Sequence, residues 1–198
     1  MAKSIFIEGT DGSGKSSIVA MLKDLLEARG ESVLVLREPG GTDYYEALRD
    51  IFLNSPHEHP PISDALLATA GRAANIDATK KALSEGRWVI SDRAYPSGLA
   101  YQMAQGISKD DIWAINQFAL GDFDYDYKIL LDVSAKTAME RVNTSGTKKD
   151  NWESRPIDIF ESTVENYRDQ AREHDYSLVD AEASLDEVFS NVKKILEL

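Results

Sequence analysis

The chain has 198 residues, 42% of them hydrophobic, enough to bury one sizeable core, so a single domain over 1–198 is expected. A formal charge of −12 argues against a nucleic-acid partner, because gripping a phosphate backbone takes an excess of Lys and Arg. With no cysteine, disulfides, thiolate nucleophiles and zinc–thiolate sites are excluded. The apolar run after Lys3 is too short for a signal sequence and none approaches the roughly 20 residues of a membrane span, so a soluble, cytoplasmic protein is expected.

Ser4-Ile5-Phe6-Ile7-Glu8 reads as a short strand. The stretch Gly9-Thr10-Asp11-Gly12-Ser13-Gly14-Lys15-Ser16 then matches the phosphate loop G-x-x-x-x-G-K-[ST] at every fixed position. Ile18, Met21, Leu22, Leu25 and Leu26 follow at helical spacing as far as Arg29, and Gly30 ends the helix. Strand, glycine loop and helix are the context in which backbone N–H groups and a helix N-terminus bind phosphate. Lys15 reaches the outer phosphates and the Ser16 hydroxyl suits magnesium.

Ser32 to Arg37 is continuous and β-branched, the pattern of a strand buried on both faces. It ends in the loop Glu38-Pro39-Gly40-Gly41-Thr42. Tyr44 to Leu53 is a short helix, broken by Asn54 to Pro61, where His57 and His59 read as solvated histidines rather than metal ligands. Ser63 caps a long helical stretch through Ser84, which Gly71 interrupts. A third strand, Trp88 to Ser91, ends at Asp92-Arg93, and helices follow at about Ser97 to Gln105 and Lys109 to Leu120.

The acids Asp122, Asp124 and Asp126 alternate with aromatics and read as a solvated approach to a fourth strand, Tyr127 to Val133. A helix from Ser134 to Val142 leads into a polar segment, 143–155, that has no periodicity. Amphipathic helices at Ile157 to Glu173 and Leu185 to Leu198 flank a short strand at Ser177 to Val179. Five strands alternating with helices imply an α/β fold, a doubly wound, mostly parallel five-stranded sheet with helices on both faces. Ligands of such sheets bind at the carboxyl ends of the strands, where Lys15, Arg37, Glu38, Asp92 and Arg93 fall.

Three functions compete for a phosphate loop. A GTPase-like switch needs a base-reading [NT]-K-x-D after an apolar strand. Thr147-Lys148-Lys149-Asp150 has the letters, but Asn143-Thr144-Ser145-Gly146 precedes it. A motor ATPase usually needs further domains. A kinase for a small acceptor needs a second anion pocket and a cover that excludes water. Arg37, Arg49, Arg72 and Arg93 are candidates for the pocket, and the segment 143–155, with Lys148, Lys149 and Arg155, for the cover.

Taken together, these residues resemble the thymidylate kinase family along nearly the whole chain. Phe6 to Ser17 is similar to its phosphate loop and Arg37-Glu38-Pro39-Gly40-Gly41-Thr42 to its second motif. Asp92-Arg93 with Ser97, Ala100, Tyr101 and Gln102 resembles its third. Leu130 to Val133, Glu140-Arg141 and Asp158 to Glu161 with Tyr167 resemble the surroundings of its lid.

The resemblance implies transfer of the γ-phosphoryl of MgATP to dTMP by a homodimer, with no nucleic-acid or membrane partner. It assigns ATP to the loop from Gly9 to Ser17 (Gly9, Thr10, Asp11, Gly12, Ser13, Gly14, Lys15, Ser16, Ser17), with Arg141 near the adenine and Lys148 and Lys149 in the lid. Ser16 and Asp92 would hold Mg2+, and Lys15, Arg93 and Asp92 would be catalytic. Arg49 and Arg93 would clamp the acceptor phosphate, Asp11 and Glu38 would lie near its sugar and phosphate, and Arg72 and Gln102 would read the base. Tyr101 would pack under the sugar, and Pro39 and Ser97 complete the acceptor set. A broader (deoxy)nucleoside monophosphate kinase with relaxed base choice is the alternative, and a nucleotide-binding switch a more distant one.

Several positions depart from the family. Gly12 and Ser13 leave the loop without the arginine that some members carry there, so the lid must supply that charge, and Asn151 stands at the usual lid arginine. Ala94 replaces a tyrosine, Gly71 a polar residue, and Ala68 the phenylalanine that stacks on thymine. That ring contributes about 0.5–1.5 kcal/mol, and losing it should weaken base binding roughly tenfold unless Tyr44, Tyr45 or Tyr95 fills the gap. Weaker acceptor binding or relaxed base choice is therefore expected.

Overall fold

A computed structural model describes residues 1–55, 57, 59–144 and 157–198. The elements run β1 (Ser4–Glu8), α1 (Lys15–Ala28), β2 (Val33–Arg37), α2 (Asp43–Asn54), α3 (Pro61–Ser84), β3 (Trp88–Asp92) and α4 (Tyr95–Met103). They continue with α5 (Lys109–Leu120), β4 (Tyr127–Asp132), α6 (Ala135–Thr144), α7 (Ile157–His174), β5 (Ser177–Asp180) and α8 (Leu185–Ile195). The strands form one sheet in the order β2-β3-β1-β4-β5, with every pairing parallel. This is the expected α/β fold.

The strands sort their side chains between two layers. Ile5 and Ile7 of β1 and Ile129 and Leu131 of β4 face one side, packed with Ile18, Leu22 and Leu26 of α1 and Val188 and Val192 of α8. Phe6 and Leu130 face the other, against Ala65 and Ile76 of α3, Leu99 of α4, Ile112 of α5 and Tyr167 of α7. Both faces of the central strands are thus apolar, which is why their sequence shows no polar alternation. Because all strands are parallel, Glu8, Arg37 and Asp92 end at the same edge.

Some local expectations change. β2 is an edge strand rather than one buried on both faces: only Leu36 is buried and Val35 is exposed. The long helix starts at Pro61, with Pro60 as N-cap, two residues before Ser63. Gly71 does not interrupt it. The fourth helix begins at Tyr95, where Pro96 falls in the first turn.

Asp126 does not simply point into solvent. It accepts from Lys3 Nζ (2.8 Å), Ser4 N (2.8 Å) and Ser4 Oγ (2.9 Å), pinning the start of β1 beside β4. His57 is exposed, and His59 Nδ1 lies 2.8 Å from Asp64 Oδ1. No helix among the described residues is long and apolar enough to cross a membrane.

Candidate active site

The phosphate loop leaves β1 with φ of 146°, 81° and 91° at Gly9, Gly12 and Gly14, values that L side chains rarely adopt. At Gly12 there is no space either: an added Cβ would lie 2.3 Å from the carbonyl oxygen of Ala138, so α6 sits directly on the loop. Gly14 caps α1 without a side chain, which leaves the first N–H groups of that helix for an anion. Lys15 is 6% exposed and donates to Thr10 O (2.9 Å). Burial, reinforced by Arg93, brings its pKa down to about 8.

The cleft over this loop is lined by Asp11, Gly12, Gly14, Lys15, Ser16 and Ser17, by Arg37, Glu38 and Arg49, and by Asp92 and Arg93. Ser16 Oγ donates to Asp92 Oδ2 (3.0 Å), so one hydroxyl and one carboxylate meet at its floor. Gly9, Thr10 and Ser13 shape the loop without lining this cleft. Arg141 lies outside it, donating to Ala181 O (2.9 Å) and Gly12 O (3.5 Å). Lys148, Lys149, Asn151 and Arg155 lie outside the described residues.

A second cleft opens from the first and shares Asp11, Glu38, Arg49 and Arg93 with it. Pro39, Arg72, Ser97, Tyr101 and Gln102 also line it, so all nine residues expected around an acceptor converge here. A wall of Tyr45, Phe52 and Leu53 from α2 and Ala68 from α3 makes one part apolar. Of the three tyrosines that might replace a missing ring, Tyr45 reaches the cleft. Tyr44 is exposed, and Tyr95 is committed to the core, edge-on to Phe6 at 5.9 Å.

Two arginines organise this cleft differently. Arg72 is buried and locked: its Nε donates to Glu38 Oε2 (2.9 Å), its Nη2 to the same oxygen, and its Nη1 to Asn116 Oδ1. Burial pushes the Glu38 carboxyl up to about 7 even though Arg72 pulls the other way, and Glu38 Oε1 is buried with no hydrogen-bond partner among the described residues. Arg49 donates from Nη1 to Pro39 O.

Arg93 sits at φ 72°, where the turn after β3 aims its side chain back over the strand ends. It bonds Gly9 O (2.9 Å), Ser97 Oγ (3.2 Å), Tyr101 OH (3.1 Å), Tyr167 OH (3.0 Å) and the Asp11 carboxylate. Burial pushes the Asp11 carboxyl up, but Arg93 and Lys15 outweigh it and hold the group below the usual carboxylate range.

Several contributors carry no motif. Asn75 of α3 donates to Gly40 O (2.9 Å) and Arg37 O (3.2 Å) and so fixes the loop after β2. Asn116 receives Arg72. Glu8 and Tyr167 stand behind Arg93. Tyr167 showed only through the family resemblance, whereas Glu8 leaves a trace of its own, as a lone acid closing the apolar run Ile5-Phe6-Ile7, a position that demands buried donors.

Residues 7–192 match the family model described as thymidylate kinase. A protein of Nitrosospira multiformis named thymidylate kinase is 37% identical over 197 residues, covering 97% of this chain and 95% of its own. Those of the same name from Neisseria gonorrhoeae and Bacillus licheniformis are 36% and 32% identical, each over 98% of this chain and over 95% and 94% of their own. A family match spanning both clefts, with relatives aligned nearly end to end, places this chain in the thymidylate kinase family.

Proposed function

We propose that the protein transfers the γ-phosphoryl group of ATP to the 5′-phosphate of dTMP, giving dTDP and ADP. The observation that carries this reading is the joining of the two clefts at Arg93, with Asp11, Glu38 and Arg49 common to both. Two polyanions can meet end to end there. The acceptor phosphate is already a nucleophilic anion, so no general base is required, and the barrier is lowered by positioning and by fixed positive charge.

Lys15 and the loop amides hold the donor phosphates, and Arg141 borders the loop on its outer side. Arg49 and Arg93 take the acceptor phosphate. Glu38, Pro39, Ser97 and Tyr101 surround the sugar end, and Arg72 and Gln102 lie deeper, toward the base. The Ser16 hydroxyl and Asp92 carboxylate are hard oxygen donors 3.0 Å apart, a set that suits Mg2+. Among the described residues no cluster of three or more His, Cys, Asp or Glu could hold a metal by itself, which fits an ion bound chiefly through phosphate oxygens and water. Bound there, magnesium would neutralise phosphate charge.

Family membership does not favour the broader monophosphate kinase or the switch. The relaxed base choice expected from Ala68 also loses its premise, since Tyr45 and Phe52 give the cleft aromatic walls. A cytoplasmic homodimer is part of the proposal. α3 and α5, which pack together, leave Ile62, Leu66 and Phe118 exposed, and Phe118 is 92% exposed. Sedimentation of the wild type and of Phe118→Glu checks this, with a dimer and a monomer expected. ADP formation measured with ATP and a panel of monophosphates tests the reaction. It should depend on dTMP, and acceptor-independent hydrolysis would refute it.

A further inference from the structure

The guanidinium of Arg93 has two ends with different surroundings. Nη2 donates to the Asp11 carboxylate and to Tyr101 OH (3.1 Å), both of which line the acceptor cleft. Nη1 is turned toward the protein and donates to Gly9 O (2.9 Å), Ser97 Oγ (3.2 Å) and Tyr167 OH (3.0 Å). One end is therefore anchored and the other faces the place where the clefts join.

The anchor rests on a carboxylate that lines neither cleft. Glu8 is wholly buried and accepts from Ala94 N (2.7 Å), Ser97 N (3.1 Å), Ser97 Oγ (2.9 Å) and Tyr167 OH (2.8 Å). Its Oε2 lies 4.0 Å from Arg93 Nη1. An ionised carboxylate can only accept, so the hydroxyls of Tyr167 and Ser97 must turn their protons to it. Their lone pairs are then left for Nη1. The bonds from Ala94 N and Ser97 N also hold the chain on the far side of Arg93, whose left-handed φ needs outside support.

We propose that Glu8 and Tyr167 are positioning residues for phosphoryl transfer: Tyr167, oriented by Glu8, fixes Nη1 of Arg93 so that Nη2 is delivered to the phosphates. Neither lines either cleft. The inference deepens the kinase reading and rests on it. Tyr167 is carried by α7, a helix far along the chain from the strand that supplies Glu8, so the hub also ties α7 to the phosphate loop.

The test is a double-mutant cycle on kcat at saturating ATP and dTMP. Tyr167→Phe keeps the ring and removes only the hydroxyl. It is expected to lower kcat about tenfold, the scale of one hydrogen bond to a charged group, with KM for ATP unchanged. In an Arg93→Ala background the same change is expected to cost less than about twofold, because the group it acts through is gone. Glu8→Gln should show the same pattern.

Wild-type kcat in Tyr167→Phe, or equal losses in both backgrounds, would overturn the inference. So would loss of the folded state in both Tyr167→Phe and Glu8→Gln, since the hub would then be structural. Absence of any dTMP-dependent ADP formation by the wild type would instead overturn the kinase reading beneath it.

Discussion

A Cβ added to Gly71 would lie 2.0 Å from Cδ2 of Tyr45. The ring of Tyr45 therefore rests on bare helix backbone, wedged between α2 and α3 at the apolar wall of the acceptor cleft, where it is 1% exposed. Two departures from the family, Ala68 and Gly71, thereby join the aromatic at 45 in one arrangement. The small residues on α3 make room for a ring carried by α2.

Gly71→Ala should consequently destabilise the protein. In an ordinary helix this change gains about 1 kcal/mol, but here the ring must move, and overpacking of this kind costs about 1–3 kcal/mol. Displacing the wall should also raise KM for dTMP about tenfold, the upper end of what an aromatic contact contributes. Tyr45→Leu should relieve most of the clash, so the double variant loses less than the sum of the two. Thermal unfolding and acceptor kinetics read both effects.

Lys15→Met should lower kcat by about 10²–10³, the scale of removing one fixed donor aimed at developing charge. Its thermal midpoint should hold or rise, because the lysine is buried and its positive charge is disfavoured there. Steady-state rates beside a melting curve separate the two effects.

The acceptance of ATP should fall in alkaline solution. Lys15 has its pKa lowered to about 8, so the free enzyme passes from mostly protonated near pH 7 to about one-tenth protonated near pH 9. Only the protonated form supplies charge to the phosphates. kcat/KM for ATP, which reports the free enzyme, should therefore drop about tenfold over that range. kcat should hold further, since bound phosphates favour the protonated amine. A flat kcat/KM profile would contradict the assignment.

Arg72→Met leaves Glu38 buried without its cation. At pH 8 the loss should be about 3–5 kcal/mol, the scale of a broken buried pair. Glu38 is a carboxyl whose folded pKa, about 7, exceeds its ordinary 4.5. Its contribution is fully present below about 4.5 and disappears as pH rises through about 7. The deficit of the variant should accordingly be smaller at pH 5.5 than at pH 8. Denaturant midpoints at the two values decide it.

What could be read beforehand follows from the range of the interactions. The phosphate loop is a local device, with glycines, lysine and serine acting within one turn, so its residues announce it. The order of the elements was legible because apolar strands alternate with helical spacing. The edge position of β2 was not, because an edge strand and an inner one can share a composition, and only pairing across the sheet separates them. Asn75, Asn116 and Tyr167 act on partners 35 to 159 positions away, and nothing near them in the chain records that. The aromatic wall of the acceptor cleft was half visible, as an absence at Ala68, while the presence of Tyr45 there depended on how α2 lies on α3.

The central place of β1 bears on the order in which the molecule assembles. Its neighbours enter at Val89, paired with Ser4, and at Tyr127, paired with Ile5, so both flanks are synthesised long after it. During translation the glycine turn that follows β1 thus has no seat until the chain beyond Tyr127 has left the ribosome. Such distant pairing makes for slow folding, and a chain released early should show no nucleotide affinity.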